Sequence, residues 1–180
     1  MSDSLRLRTL YIGPGRSGGA GQTNTVKIDL VNYEENPIDH VLDVAVHPIP
    51  YPDGEFDHVR AEHVLEHIPT QYRWFDGAEH HVRFCRVELM REIYRVLRPG
   101  GTLHASVPIL PGNGWNQDPT HIGPPWSLLQ FTYFCGEWGG NKPGHEATES
   151  SGINFAFEMA RHFEEPRGVA LTVILRKPQN

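Results

Sequence analysis

The feature that most constrains the fold is a glycine-rich loop between two short apolar stretches near the start of the chain. Residues 9–30 read TLYIGPGRSGGAGQTNTVKIDL, and Gly13, Gly15 and Gly18 match the pattern G-x-G-x-x-G. After a strand, this pattern is typical of nucleotide-binding α/β domains, because glycine lets the backbone turn sharply and approach a ligand closely. The loop therefore predicts a ligand site at the end of a first strand.

The same loop leaves no room for the helix that normally joins two such strands. Only GGAGQTNT separates Gly18 from Thr25, which is too short and too rich in glycine for a helix of typical length. Because the N-terminus of that helix holds the pyrophosphate of a dinucleotide, an NAD or FAD site is disfavoured. A P-loop is excluded, since no Gly-Lys-Ser/Thr follows. Two interpretations stay open, a ligand without phosphate and a glycine-rich hairpin turn without a ligand.

The rest of the chain alternates strand and helix patterns, which indicates an α/β sheet. Strands are predicted at Arg8–Gly13, Thr25–Val31, His40–Val46, Glu55–Ala61, Thr102–Leu110 and Gly168–Lys177, with a further candidate at Ile153–Phe163. A helix is predicted over Ala78–Leu97, with His80 and His81 near its start, because apolar residues recur there at spacings of three and four. Pro99 and the two glycines after it end this pattern.

Composition favours one domain over residues 1–180, with a Gly/Pro-rich insertion or lid at about 111–152. Within the insertion, Pro124–Phe134 is predicted as a short helix with proline in its first turn. The net charge of −6 and the absence of Lys/Arg runs argue against nucleic-acid and membrane partners. The two cysteines form no C-x-x-C, and no signal peptide or membrane span is visible, so a cytoplasmic protein is predicted.

A second stretch, residues 43–68, resembles the class I S-adenosylmethionine-dependent methyltransferases, particularly their methyltransferase-11-like members. Those carry an acidic residue after the third strand, then a pattern like L-P-F-P-D-x-S-F-D-x-V, then a loop like E-x-L-E-H-I. The chain has Asp43, IPYPDGEFDHV and AEHVLEHI at these places. LMREIYRVLRPGGTL resembles the helix and strand that follow in the family, and LYIGPG its first glycine motif. NTVKID is similar to members with a shortened first helix.

The resemblance implies a Rossmann-like methyltransferase fold with a mostly parallel seven-stranded sheet, an antiparallel C-terminal strand and a shortened or absent first helix. It implies S-adenosyl-L-methionine as cofactor, which has no phosphate and depends less on that helix. The implied activity is methyl transfer to a small-molecule acceptor, such as a sugar or nucleotide-sugar hydroxyl. Two alternatives stay open, a cofactor-binding protein with little or no catalysis and a pocket that a homodimer or another partner closes.

The resemblance also implies site residues. It places the cofactor against eight residues near the ends of the first four strands: Gly13, Pro14, Gly15, Asp29, Leu30, Asp43, Val44 and Glu62. Among these, Asp29 would hold the ribose hydroxyls, and Asp43 with the Val44 N–H would recognise the adenine edge. His63 and His121 are the candidate bases for an oxygen or nitrogen acceptor.

His121 ends a D-P-T-H motif, residues 118–121, that recurs in some small members of the family. The alternative is that Asp118, Thr120 and His121 only build a turn and cap the following helix. The aromatic stretch Tyr72–Gly77 is equally open between a pocket wall, a dimer contact and core packing.

HVLEH at residues 63–67 also matches H-x-x-E-H, the motif of inverted zinc peptidases. On a helix, His63 and His67 would lie one turn apart and bind zinc, with Glu66 as the base. A third ligand such as Glu137 or Glu146 would be needed. A zinc-dependent hydrolase is therefore the less favoured alternative, and the methyltransferase interpretation assigns no metal ligand. A third interpretation is that both histidines are partly buried polar residues near a cleft.

Overall fold

The computed structural model describes residues 7–19, 21–109, 118–135, 153–165 and 169–179. These ranges contain nine strands and two α-helices. In chain order they are β1 (Thr9–Ile12), β2 (Thr25–Asp29), β3 (His40–Val41), β4 (Phe56–Glu62), β5 (Tyr72–Phe75), β6 (His80–Arg83), α1 (Cys85–Val96), β7 (Leu97–Pro108), α2 (Leu128–Tyr133), β8 (Glu158–Glu164) and β9 (Ala170–Arg176).

Seven of the strands form one sheet in the order β3-β2-β1-β4-β7-β9-β8. The pairs from β3 to β7 are parallel, and β9 runs antiparallel to both of its neighbours. The prediction of a mostly parallel seven-stranded sheet with an antiparallel C-terminal strand is therefore confirmed. The strand order reverses at β1 and β4, and ligands of open α/β sheets bind outside the carboxyl ends of the strands at such a point.

One face of the sheet is apolar and carries the core. Val59 of β4 lies between Leu10 of β1 and Leu103 of β7, and all three are fully buried. The buried side chains of α1 and α2, among them Met90 and Phe131, belong to the same apolar cluster. Both described helices therefore pack on this side of the sheet.

The opposite face is polar. Arg60 of β4 lies between Tyr11 of β1 and His104 of β7, and its guanidinium stacks over the Tyr11 ring. Part of this face lies under the glycine loop, because an added Cβ at Gly19 would come within 3.1 Å of the Tyr11 ring. The described residues of this loop, 13–19 and 21–24, form turns and no helix. This agrees with the prediction that the first helix is shortened or absent.

The predicted helix over Ala78–Leu97 is wrong for its first seven residues, because α1 begins at Cys85. Strand β6 pairs instead with β5 in a hairpin, so His80 and His81 lie on a strand. Asp76 accepts hydrogen bonds from the N–H groups of residues 78 and 79, and Gly77 has a φ of +98°. Asp-Gly at the start of the four-residue loop 76–79 is the local turn signal that the helical periodicity obscured.

Two other predicted elements differ in extent. The strand expected over His40–Val46 ends at Val41, because the Asp43 carbonyl accepts hydrogen bonds from Val46 and His47 and turns the chain. Helix α2 lies within the predicted Pro124–Phe134 segment, but Ser127 forms its N-terminal capping box, so both prolines precede it. The rest of the predicted lid, at 111–117 and 136–152, lies outside the described residues.

Candidate active site

A cavity of about 540 Å³ opens at the carboxyl ends of β1, β2 and β4, where the strand order reverses. Six of the eight predicted cofactor-binding residues line it, as does the predicted base His63: Gly13, Gly15, Asp29, Leu30, Asp43 and Val44. Sites for small molecules typically measure 300–1,000 Å³. The structure therefore brings most of the predicted cofactor residues to one cavity of suitable size.

Asp29 and the two glycines define one end of the cavity. The Gly15 N–H donates to Asp29 Oδ2 at 3.0 Å, and the Val31 N–H donates to Asp29 Oδ1 at 3.3 Å. Each carboxylate oxygen keeps a lone pair for a further donor, which suits a ribose diol. Gly13 has a φ of +64°, and an added Cβ would lie 2.4 Å from Val64 Cγ2, so only glycine fits there.

Hydrogen bonds from the Asn36 side chain fix the glycine loop, where the first helix is missing. Its side chain is 1% exposed and donates from Nδ2 to the Gly15 and Gly18 carbonyls at 2.8 and 3.0 Å. Its Oδ1 accepts from Lys27 Nζ at 2.7 Å. No local sequence signal marks Asn36, because nothing distinguishes it from Asn32 in the same loop.

Two predicted cofactor residues, Pro14 and Glu62, are not among the residues that line the cavity. The Glu62 carboxylate lies on the polar face, where it accepts from Tyr11 Oη at 2.6 Å and from Arg60 at 2.8 Å. Burial acts to raise the pKa of Glu62, but the hydrogen bonds from Tyr11 and Arg60 outweigh it and lower the pKa. Burial and the bond to Glu62 raise the pKa of Tyr11 to about 12. Glu62 is thus an ionised member of a hydrogen-bonded cluster.

A second cavity, of about 710 Å³, adjoins the first, and His63 and His67 line both. Its other walls include Glu66, Asp118 and His121. The two histidines therefore form the boundary between a site suited to a cofactor and a polar site suited to a second molecule.

The segment that carries these histidines is not an α-helix. His63 has a φ of +53°, and only Leu65–His67 forms a single 3₁₀ turn. The prediction that His63 and His67 share one helical face is therefore wrong. His63 Nδ1 lies 3.5 Å from Glu66 Oε1, and this contact raises the pKa of His63 against the effect of its burial.

The D-P-T-H motif folds against this segment. The His121 side chain is 7% exposed, its ring contacts the His67 ring, and its Nε2 lies 3.9 Å from Glu66 Oε1. The motif does form a turn, since the Thr120 N–H donates to Asp118 Oδ1 at 2.8 Å. It does not cap α2, which Ser127 caps. The structure therefore brings His121 to the second cavity, next to the other histidine-rich motif.

Arg86 and Trp126 hold the two motifs together. Arg86, buried on α1, donates to the carbonyls of Ile68, Ile122 and Pro124 at 3.0–3.1 Å. Its guanidinium stacks over Trp126, whose Nε1–H donates to the Leu65 carbonyl at 2.9 Å. No sequence motif reports either residue, because their role depends on contacts between positions 18 to 61 apart in the chain.

Residues 22–105 match the family model described as "Methyltransferase domain". Nearly half of the chain is therefore similar to the methyltransferase domain, as the resemblance predicted. The predicted family, enzyme class and cofactor are therefore confirmed. The matched region contains both the β2 end with Asp29 and the His63–His67 motif. No functionally curated protein shows significant similarity to the sequence.

Solved methyltransferase structures share the fold. The 1,6-didemethyltoxoflavin-N1-methyltransferase of Burkholderia thailandensis, bound to 1,6-didemethyltoxoflavin and S-adenosylhomocysteine, is 15% identical over 96% of this chain and 71% of its own, with a TM-score of 0.57. A SAM-dependent methyltransferase of Archaeoglobus fulgidus is 15% identical over 95% and 86%, with a TM-score of 0.56. A Haloferax volcanii chain complexed with the Trm112 methyltransferase activator is 14% identical over 96% and 83%, with a TM-score of 0.55. At such identities the likeness concerns the fold.

None of the helices in the described ranges is long and apolar enough to span a membrane.

Proposed function

We propose that this methyltransferase transfers the methyl group of S-adenosylmethionine to a hydroxyl of a small molecule, such as a sugar or nucleotide sugar. The observation that carries the proposal is the pair of adjoining cavities that share His63 and His67. The first cavity takes the cofactor and the second takes the acceptor. The second is lined by histidines and carboxylates, which suits a polar acceptor with hydroxyl groups.

The cofactor is proposed to lie along the first cavity. Asp29 accepts hydrogen bonds from the ribose diol, and the backbone of Gly13 and Gly15 lies against the methionine part. At the other end, the Asp43 carboxylate is oriented by the Ala45 N–H at 2.9 Å and accepts from the adenine amino group. The Val44 N–H donates to the adenine ring, and Leu30 covers the ring. Pro14 and Glu62 are not part of this proposal.

The bound cofactor supplies a methyl group that is already activated as a sulfonium. The protein therefore has to align the acceptor oxygen with the methyl group and to accept the hydroxyl proton. His63 suits the second task, because it lies at the boundary of the two cavities and Glu66 stabilises its protonated ring. His121 lies deeper in the acceptor cavity and contacts Glu66 and His67 rather than the cofactor cavity.

The first test is calorimetric titration of the full chain with S-adenosylhomocysteine. We expect micromolar binding, and a loss of at least tenfold in affinity for Asp29→Ala, because two hydrogen bonds to a charged group are removed. Asp39→Ala is the matched control, because Asp39 is an exposed carboxylate that bonds the Lys27 N–H outside the cavity. An Asp29→Ala variant that binds as tightly as wild type would contradict the assignment of the ribose site.

Turnover distinguishes the enzyme from a protein that binds the cofactor with little catalysis. The assay measures release of S-adenosylhomocysteine in the presence of candidate sugars and nucleotide sugars. We expect release to depend on one acceptor class and to fall at least a hundredfold in His63→Ala, the range of general-base catalysis. Binding without release for any acceptor would favour the binding-protein alternative.

A partner that covers the cofactor cavity is also proposed. Leu30 of the cavity wall is exposed, as are its neighbour Val31 and Val41 at the edge of the sheet. The Haloferax volcanii chain of the same fold is complexed with a methyltransferase activator, which supports a partner of some kind. Molar mass by light scattering will show whether the partner is a second copy. The cytoplasmic location stays a prediction.

A further inference from the structure

Three potential metal ligands converge beside the cofactor cavity. One ligand atom each from Glu66, His67 and His121 lies within 4.8 Å of the other two. We propose that these three residues bind a divalent transition-metal ion. Two imidazoles and one carboxylate form the ligand set of several catalytic zinc sites, and other first-row divalent metals accept the same ligands.

The state of the Glu66 carboxylate supports a cation at this point. Glu66 is 1% exposed, and its Oε2 has no hydrogen-bond partner among the described residues. A buried carboxylate oxygen without a donor is costly, and a cation bound by the same carboxylate lowers that cost. Arg86 interacts electrostatically with Glu66, but its hydrogen bonds go to three backbone carbonyls and none reaches Oε2.

The orientation of His67 supports the same conclusion independently. Its Nδ1 lies 3.3 Å from the Thr120 carbonyl and 3.1 Å from Thr120 Oγ1. Because a carbonyl can only accept, Nδ1 carries the proton and Nε2 is the free acceptor of the ring. The Thr120 hydroxyl in turn donates to Asp118 Oδ1 at 2.5 Å. Ligating histidines are commonly fixed through their second nitrogen in this manner. Thr120 and Asp118 are therefore positioning residues.

The distances are compatible with a metal after small side-chain movements. Glu66 Oε1 and His121 Nε2 are 3.9 Å apart, whereas two ligands at 2.0–2.1 Å from a tetrahedral ion lie about 3.3 Å from each other. Three protein ligands leave a fourth position for another molecule, as in catalytic rather than structural zinc sites. The second cavity is lined by the same three residues, so that position faces the proposed acceptor.

The role of the ion rests on the proposed function. A hydroxyl oxygen bound at the fourth position loses its proton more readily, because the ion stabilises the alkoxide. The proton leaves to solvent in the second cavity. The oxygen forms a bond to the methyl carbon while the carbon–sulfur bond breaks, and the electron pair leaves with sulfur as neutral S-adenosylhomocysteine. The acceptor class is therefore a hydroxyl that can bind a metal.

This ligand set also corrects the zinc-peptidase interpretation of HVLEH. His63 is not in the group, and His121 from the distant D-P-T-H motif takes its place. Glu66 is a ligand, not a base held apart from the ion. Glu137 and Glu146, the additional ligands considered from the sequence, lie outside the described residues.

The test is metal binding by the purified full chain after chelator treatment. The chain is titrated with Zn²⁺ by calorimetry and with Co²⁺ by visible absorption, which reports the coordination. We expect one equivalent to bind, with affinity reduced at least a hundredfold in Glu66→Gln and His121→Ala. Thr120→Val should lose about 10–100-fold, as for other residues that orient a ligand. His104→Ala on the polar face is the matched control and should bind like wild type.

S-adenosylhomocysteine binding, measured on the same preparations, separates this proposal from the proposed function. Wild type that binds S-adenosylhomocysteine but no metal would overturn the metal site alone. Metal binding that survives in both Glu66→Gln and His121→Ala would also overturn it. Metal binding that is lost in both variants, with S-adenosylhomocysteine affinity unchanged, is the expected result and excludes misfolding as its cause.

Discussion

At the scale of single residues, the first cavity depends on two glycines that differ in their surroundings. Gly13 and Gly15 both have positive φ, but an added Cβ at Gly13 meets Val64 at 2.4 Å, whereas an added Cβ at Gly15 meets no described atom within 4 Å. Gly13 is therefore required by close approach as well as by backbone conformation, and Gly15 by conformation alone.

This difference gives a paired prediction. Gly15→Ala should lower the free energy of unfolding by about 1–2 kcal/mol, the cost of a left-handed conformation for alanine. Gly13→Ala should lower it by a further 1–3 kcal/mol or so, because the methyl group overpacks against Val64. Urea denaturation of the two variants measures both values. Equal losses for the two variants would show that Val64 moves aside without cost.

The site residues were predictable from sequence only where a motif reports them. Gly13, Asp29 and His63 lie at the cavity as their motifs indicate. Asn36 and Arg86 carry no local signal, because each is defined by carbonyls that only the folded chain brings near. Glu66, His67 and His121 were all singled out from the sequence, but which of them meet depended on a turn whose geometry the sequence did not reveal.

At the scale of elements, α1 does more than cover the sheet. It presents Arg86 to the segment that carries His121, and three backbone carbonyls depend on this one guanidinium. Burial of the Arg86 guanidinium lowers its pKa to about 10. This pKa is still well above 7, so the side chain stays charged at neutral pH. The second cavity therefore owes its shape to a helix that contributes no residue to its lining.

We expect Arg86→Met to loosen this segment. Leaving buried carbonyls without donors should cost at least about 2 kcal/mol of unfolding free energy. Amide exchange of Ile122, whose N–H donates to the Glu66 carbonyl at 2.9 Å, should accelerate in the variant. Arg73→Met, on the exposed hairpin with a single bond to Gln71, should change neither quantity. Unchanged Ile122 exchange in Arg86→Met would argue that Trp126 alone holds the segment.

The elements themselves were only partly predictable. The strands β1, β2, β4 and β9 were found within two residues of their ends, whereas β7 begins at Leu97, five residues before the predicted Thr102. The hairpin β5–β6 was missed because Val82 fits the helical spacing of the residues after it, although it is exposed on a strand. Its aromatic side chains, Tyr72, Trp74 and Phe75, are exposed, so the alternative of core packing for this stretch is wrong. Tyr72 lines the first cavity.

At the scale of the whole molecule, the missing first helix changes one side of the sheet. Both faces of parallel sheets are normally covered and apolar. Here β4 alternates buried Val59 and Ala61 with half-buried His58, Arg60 and Glu62, so the second face is built for polar surroundings. The cluster of Tyr11, Arg60 and Glu62 satisfies its own hydrogen bonds across β1 and β4. The seven-stranded sheet and the cavity at its carboxyl ends therefore form although no described helix covers the polar face.

The Tyr11 phenol makes the free energy of unfolding fall at alkaline pH. Its pKa is about 12 in the folded chain and 10.0 in an ordinary tyrosine, so the folded state holds the proton more tightly. The stabilisation is complete below pH 10 and is lost as pH rises towards 12, with a total of about 2–3 kcal/mol.

We expect the difference in unfolding free energy between wild type and Tyr11→Phe to shrink over this interval. Glu62→Gln should show a smaller fall than wild type, because the carboxylate is one cause of the raised pKa. A difference between wild type and Tyr11→Phe that stays constant from pH 9 to pH 12 would mean that the polar face holds this phenol no more tightly than water does.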